Sequence, residues 1–126
     1  MKLTICITQR CNLRCWYCYV GKREATMSLD VATRVVDWIY EHAIAGEPID
    51  IGIFGGEPLL ELPAVMMVAE LVERHAAFDP ARVTLTVVSN GTVFSDEIAA
   101  FLTAHGINYC MSCDGPPEVQ DRFRRF

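Results

Sequence analysis

The sequence predicts an α/β fold built on a parallel sheet, and three observations carry that prediction. Four apolar, β-branched runs, Leu3 to Thr8, Ile49 to Phe54, Val83 to Ser89 and Ile107 to Cys113, are separated by three segments of helical periodicity. The connections are short and composition does not break, which describes one βαβ array with right-handed crossovers. The unusual residues, cysteines, paired glycines and Asn-Gly, fall where the runs end, and parallel α/β folds bind ligands beyond the carboxyl ends of their strands. The expected architecture is four strands and three helices, a partial TIM-like barrel. A full eight-stranded barrel takes about 250 residues, and this chain has 126.

Taken in order, the first strand stops at polar Gln9-Arg10 and opens into Cys11-Asn12-Leu13-Arg14-Cys15-Trp16-Tyr17-Cys18. Ser28 is a fitting N-cap and Asp30 suits the positive end of a helix whose apolar stripe is read as Val31, Val35, Val36, Ile39 and Ala43. Gly46 and Pro48 close it. Trp38 and His42 lie four apart on that helix and receive no functional role. The second strand alternates and runs into Gly55-Gly56-Glu57-Pro58. A second helix is expected from about Pro63 to Ala77, apolar nearly all round, with Met66 and Met67 as core filler. Val83 to Ser89 reads as a strand buried on both faces and ends at Asn90-Gly91-Thr92, a turn. Ser95 caps a third helix carrying Ile98, Phe101 and Leu102, closed by Gly106. The fourth strand leads into Ser112-Cys113-Asp114-Gly115-Pro116-Pro117, and a fourth helix is expected only to begin near Phe126.

Composition excludes several classes. A hydrophobic content of 52% argues against disorder, and a net charge of −5 gives no broad basic face, so nucleic acid is not an expected main partner. The apolar run after Met1-Lys2 is too short for a secretion signal, and no stretch could span a bilayer. The expected location is the cytoplasm, where six cysteines point to metal or redox chemistry before disulfides. Cys6, Cys110 and Cys113 sit in apolar segments and are read as packing residues. A zinc site joining Cys15 and Cys18 to Cys110 and Cys113 is a minor alternative, because strand residues three apart project to opposite faces.

Three thiols spaced by three and then two residues are an incomplete set for structural zinc, which takes four protein ligands. Metal binding needs the thiolate, and Arg10, Arg14 and Lys22 supply positive potential in and beside the loop. The spacing, with Tyr17 directly before the last cysteine, resembles that of the radical S-adenosylmethionine (radical SAM) superfamily. That resemblance implies a 4Fe-4S cluster on Cys11, Cys15 and Cys18, whose open iron chelates S-adenosylmethionine (SAM), and reductive cleavage to a 5'-deoxyadenosyl radical that abstracts hydrogen.

Further segments extend the resemblance. Gly55-Gly56-Glu57-Pro58 resembles the family's SAM-amine motif, and Ser89-Asn90-Gly91-Thr92 its Thr-Asn-Gly-Thr segment. Ser112 to Pro116 resembles the Ser-Leu-Asp-Gly-Pro of the SPASM-type peptide and protein maturases, which include anaerobic sulfatase-maturating enzymes; Cys113 replaces the aliphatic residue. Gln120-Asp121-Arg122-Phe123-Arg124 resembles that branch's His-Asp-x-x-Arg, with Gln120 in place of histidine. The resemblance implies Tyr17 beside the adenine, Gly55, Gly56, Glu57 and Pro58 at the SAM amine, and Asn90, Ser112 and Asp114 around the rest of SAM. It also implies a peptide or protein substrate and an electron donor such as flavodoxin or ferredoxin. Residues 1–126 are then expected to be the N-terminal part of a longer core, cut after its fourth strand. Two alternatives stay open: a non-catalytic metal- or cluster-binding module, and a branch such as the cyclising enzymes of molybdopterin synthesis.

Overall fold

The computed structural model describes residues 1–126. Four strands, β1 (Lys2–Thr8), β2 (Ile49–Gly55), β3 (Val83–Ser89) and β4 (Asn108–Met111), form one sheet in the order β1-β2-β3-β4, every pair parallel. Helices α1 (Leu29–His42), α2 (Leu62–Arg74) and α3 (Asp96–Ala104) make the crossovers, and α4 (Pro117–Phe123) follows β4. The expected α/β array of βα repeats is present.

The helix boundaries follow local chemistry. The Ser28 side chain accepts a hydrogen bond from the Val31 amide, and that of Ser95 from the Ile98 amide, each satisfying a donor the helix cannot. Gly46 and Gly106, with φ of 83° and 58°, take the left-handed conformation that reverses the chain after α1 and α3. Ile5, Ile7, Ile51, Ile53, Leu85 and Val87 alternate along their strands and pack with the helices in a single cluster of 20 buried residues.

Several expectations are corrected. The expected stripe of α1 holds at Val36 and Ile39, which are buried, and at Val35 and Ala43, which pack partly buried against the core; Ala32 joins it, and only Val31, 100° round the helix from Ala32 at the edge of the stripe, is exposed. The second helix ends at Arg74 and is preceded by a 3-10 turn, Pro58–Glu61, that no periodicity announced. The strand β3 buries one face rather than two. A fourth helix lies inside the chain, with Pro117 at its first position, where the missing amide costs nothing.

Cys6 and Cys110 are exposed, not core residues. Register explains this: Cys6 pairs with Phe54 and Val88 with Cys110, and the β2–β3 register aligns Phe54 with Val88. All four belong to the face turned away from the helices, which this chain leaves largely uncovered. Cys113 lies in the loop after β4 and is also exposed.

The corrected stripe makes a paired prediction for chemical denaturation. Ile39→Ala should cost about 2–5 kcal/mol, and Val31→Ala less than about 0.5 kcal/mol. Equal losses would show that α1 is rotated from the orientation described.

Candidate functional site

The carboxyl ends of β1, β2 and β3 are drawn together by two glycines. The Gly56 amide donates to the Thr8 carbonyl at 2.9 Å and the Glu57 amide to the Arg10 carbonyl at 2.7 Å, so the chain leaving β2 lies against the start of the cysteine loop. A Cβ on Gly55 would sit 2.3 Å from the Thr8 carbonyl oxygen, and one on Gly56 would sit 2.0 Å from that of Arg10 and 2.9 Å from the Cys11 Cβ. Only glycine permits this approach. The glycine pair therefore seats the cysteine loop as well as opening backbone toward a ligand.

Glu57 follows, and its side chain is fully buried, at 0% exposure. One carboxylate oxygen accepts from the Leu59 amide (3.0 Å) and the Ser89 hydroxyl (2.9 Å), and the other from the Asn90 amide (2.6 Å). Charge-assisted bonds of this kind offset the cost of taking the carboxylate out of water. The Asn90 side chain continues the network, donating to Asn12 Oδ1 at 2.9 Å and lying 3.8 Å from Cys11 Sγ. Asn12 in turn donates to Thr92 at 2.7 Å.

Above this network is a pocket lined by Cys11, Cys15 and Cys18 together with Tyr17, Gly55, Gly56, Asn90 and Ser112. All six cysteines of the chain are free thiols. Burial pushes the Cys15 thiol above its ordinary pKa; Arg124 opposes this, Cys11 and Cys18 reinforce it, and Lys22 opposes it. The pocket lining offers three thiols and no His, Asp or Glu, a donor set that leaves a closed tetrahedral zinc incomplete and suits an iron-sulfur centre with one open iron.

The rim is closed by a clasp from the end of the chain. The Tyr17 hydroxyl donates to Asp114 at 2.5 Å, and Arg124 Nε donates to the other Asp114 oxygen at 3.0 Å, its guanidinium 5.6 Å from the Tyr17 ring centre. Partial desolvation, then the Asp114 bond, pushes the Tyr17 pKa up to about 12; the Tyr17 and Arg124 bonds hold the Asp114 carboxyl below its usual range. Gln120 accepts from the Asp114 amide at 2.9 Å, a positioning role that needs no proton exchange. Backbone bonds from Arg14 to Arg125 (2.5 Å) and from Trp16 to Phe123 (3.2 Å) fasten the loop to the last residue of α4 and to the second residue beyond it.

Of the residues the sequence singled out, the structure brings Cys11, Cys15, Cys18, Tyr17, Gly55, Gly56, Asn90 and Ser112 to one pocket wall. Glu57, Pro58 and Asp114 lie outside that lining: Glu57 and Pro58 are buried beneath it, and Asp114 is engaged in the clasp. Arg10 spends its charge on Glu24 and Glu61, and Arg14 faces another groove, so the cations acting on Cys15 are Arg124 first and Lys22 second. Arg124 was visible only as the last letter of a motif. Phe54, Val88 and Tyr19 complete the apolar wall, with Tyr19 stacked on Phe54 at 6.0 Å. Phe54 and Val88 could have been found from strand alternation in step with Cys6.

The sequence profile of the Radical SAM superfamily matches residues 5–125. The chain is 29% identical over 119 residues to a serine-type anaerobic sulfatase-maturating enzyme of Klebsiella aerogenes, covering 90% of this chain and 29% of that protein. It is 34% identical over 112 residues to a GTP 3',8-cyclase of Desulforamulus reducens, covering 84% and 31%. Among solved structures, native anSMEcpe with bound AdoMet and Cp18Cys peptide superimposes with a TM-score of 0.81 at 26% identity, over 98% of this chain and 34% of that one. The chain thus spans about a third of the length of these relatives, and the four-stranded array is consistent with part of a TIM-like barrel. Radical SAM proteins use a 4Fe-4S cluster and SAM, and this chain, with three free cysteines gathered at the carboxyl end of its parallel sheet, belongs to the radical SAM superfamily.

Proposed function

We propose that this chain is the cluster- and SAM-binding part of a radical SAM enzyme acting on a peptide or protein. The observation that carries the reading is that Cys11, Cys15 and Cys18 line one pocket together with the Gly55-Gly56 backbone. When bound, the 4Fe-4S cluster and SAM together supply reductive cleavage of a sulfonium and a 5'-deoxyadenosyl radical for hydrogen abstraction.

The chain's own residues do the rest. Cys11, Cys15 and Cys18 hold the cluster as thiolates, with Arg124 and Lys22 offsetting the desolvation that works against ionising Cys15. The Gly55-Gly56 segment offers backbone polar groups to the SAM amine, and Glu57 and Pro58 fix that segment from beneath. Asn90 and Ser112 take further polar parts of SAM. Tyr17, held by Asp114, presents its ring beside the adenine. Phe54, Val88 and Tyr19 give that side of the pocket an apolar lining.

The peptide substrate is supported by the maturase relatives and by Asp114, Gly115 and the Asp121 to Arg124 segment, from which the clasp is built. The GTP cyclase similarity favours a second reading, a small-molecule cyclisation branch. No helix is long and apolar enough to cross a membrane. We place the reaction in the cytoplasm, the compartment in which a cysteine-rich chain of this kind points to metal or redox chemistry before disulfides. A one-electron donor of the flavodoxin or ferredoxin kind is the expected reductant.

Anaerobic reconstitution with iron and sulfide should give a brown protein carrying about four irons per chain. Cys15→Ala should abolish the colour. A folded, colourless wild-type product would defeat the reading, and zinc uptake would favour the binding-module alternative. Gly56→Ala should lower stability by about 1–3 kcal/mol and reduce iron uptake, because the new Cβ collides with Arg10 and Cys11. Full iron uptake at unchanged stability would refute the seating role of Gly56. Addition of SAM and dithionite to the reconstituted chain, with 5'-deoxyadenosine measured by chromatography, separates an enzyme from a cluster holder.

A further inference from the structure

The cysteine loop is a wall one residue thick. Leu13, Cys15 and Tyr17 face the pocket, whereas Arg14 and Trp16 face a separate groove completed by Arg122, Phe123 and Arg125. Pocket and groove share no residue. Both immediate neighbours of Cys15 therefore belong to the outer groove.

The groove is chemically distinct from the rest of the surface. Seven of the 11 Lys and Arg residues fall within residues 10–23 or 122–125, and neither stretch contains an Asp or Glu, in a chain whose net charge is −5. The backbone bonds from Arg14 to Arg125 and from Trp16 to Phe123 bring the two stretches side by side. Arg14, Arg122 and Arg125 make no ion pair; Arg23 and Arg82 make none either, but only in this groove do three such arginines stand together. Between them, Trp16 is 79% exposed while stacked at 6.4 Å on Phe123, over which the Arg122 guanidinium lies at 5.3 Å. An exposed tryptophan ringed by uncompensated arginines is the side-chain set that dominates protein interfaces, and its charge selects an acidic partner.

We propose that this groove docks a small acidic protein that carries one electron to the cluster. The inference rests on the cluster reading above. It assigns the partner by position and charge: this groove lies on the far side of the wall that holds Cys15, where an electron can reach the cluster without passing through the pocket. The carrier is oxidised by one electron and the cluster reduced by one; no bond forms or breaks and no proton is transferred. Contact of this type is small and transient and relies on electrostatic steering, so it weakens with salt.

The test uses the iron-loaded chain with a flavodoxin of net negative charge as probe. Binding of oxidised flavodoxin and the second-order rate at which its reduced form bleaches the cluster band are measured, with dithionite as a small reductant that needs no docking. Arg122→Glu/Arg125→Glu and, separately, Trp16→Ala should each weaken binding and slow reduction by flavodoxin, the double variant at least about tenfold at low salt. Raising salt should bring wild type toward the double variant, and dithionite bleaching should be the same in all. Arg34→Glu/Arg74→Glu, with the same net charge placed on α1 and α2, should behave as wild type. The proposal is overturned if the groove variants match wild type with flavodoxin, if the remote pair slows it equally, or if an RNA oligonucleotide or acidic peptide fills the groove without displacing flavodoxin. Absence of a cluster band bleached by dithionite would instead sink the cluster reading itself.

Discussion

The buried carboxylate of Glu57 is the interaction on which the rest of the site depends. It has no contact with water, so its charge is tolerable only while the Leu59 amide, the Ser89 hydroxyl and the Asn90 amide all point at it. Those donors come from the 3-10 turn after β2 and from the end of β3, which fixes the spacing of two strand ends. Asn90 passes the constraint to the first strand's loop through Asn12 and Cys11. Three elements far apart in sequence are thereby held in register by one side chain, and the pocket floor inherits their rigidity.

A second constraint acts from the other side. Gly55 and Gly56 let the Thr8 to Cys11 backbone press onto the end of β2, and the Tyr17–Asp114–Arg124 clasp presses the loop down from the rim. The cysteine loop has no regular secondary structure, so its shape comes from these contacts together with the Asn12 network and the backbone bonds to Phe123 and Arg125. The same clasp divides the cations: Arg124 turns inward to Asp114 and Cys15, and Arg122 and Arg125 turn outward with Arg14. One face of the cysteine loop thus lines the pocket and the other the arginine-rich groove.

Much of this was legible in the sequence, for identifiable reasons. Strand positions followed from β-branched runs, and Val83 to Ser89 was recovered to the residue because its neighbours are polar or helix-capping. Helix starts followed from Ser28 and Ser95, whose capping bonds are local. The three cysteines and Gly55-Gly56 could be picked out because their chemistry is rare. The failures share one cause, dependence on tertiary neighbours. Whether Val31 and Cys6 are covered, and where the Glu57 carboxylate points, are decided by elements far away in the chain. Glu57 looked like a ligand-facing acid beside a turn; its three donors at positions 59, 89 and 90 carried no sequence signal pointing back to it. Arg124 was similarly invisible until Asp114 and Tyr17 were seen beside it.

The central claim is that Cys11, Cys15 and Cys18 supply three ligands to a four-iron cluster and leave one iron for SAM. Mössbauer spectroscopy of the chain reconstituted with 57Fe, recorded before and after SAM is added, tests this most directly. The account predicts that SAM moves one iron in four to a distinct site while the other three keep their parameters. A spectrum in which all irons respond alike, or in which iron is mononuclear, would contradict it.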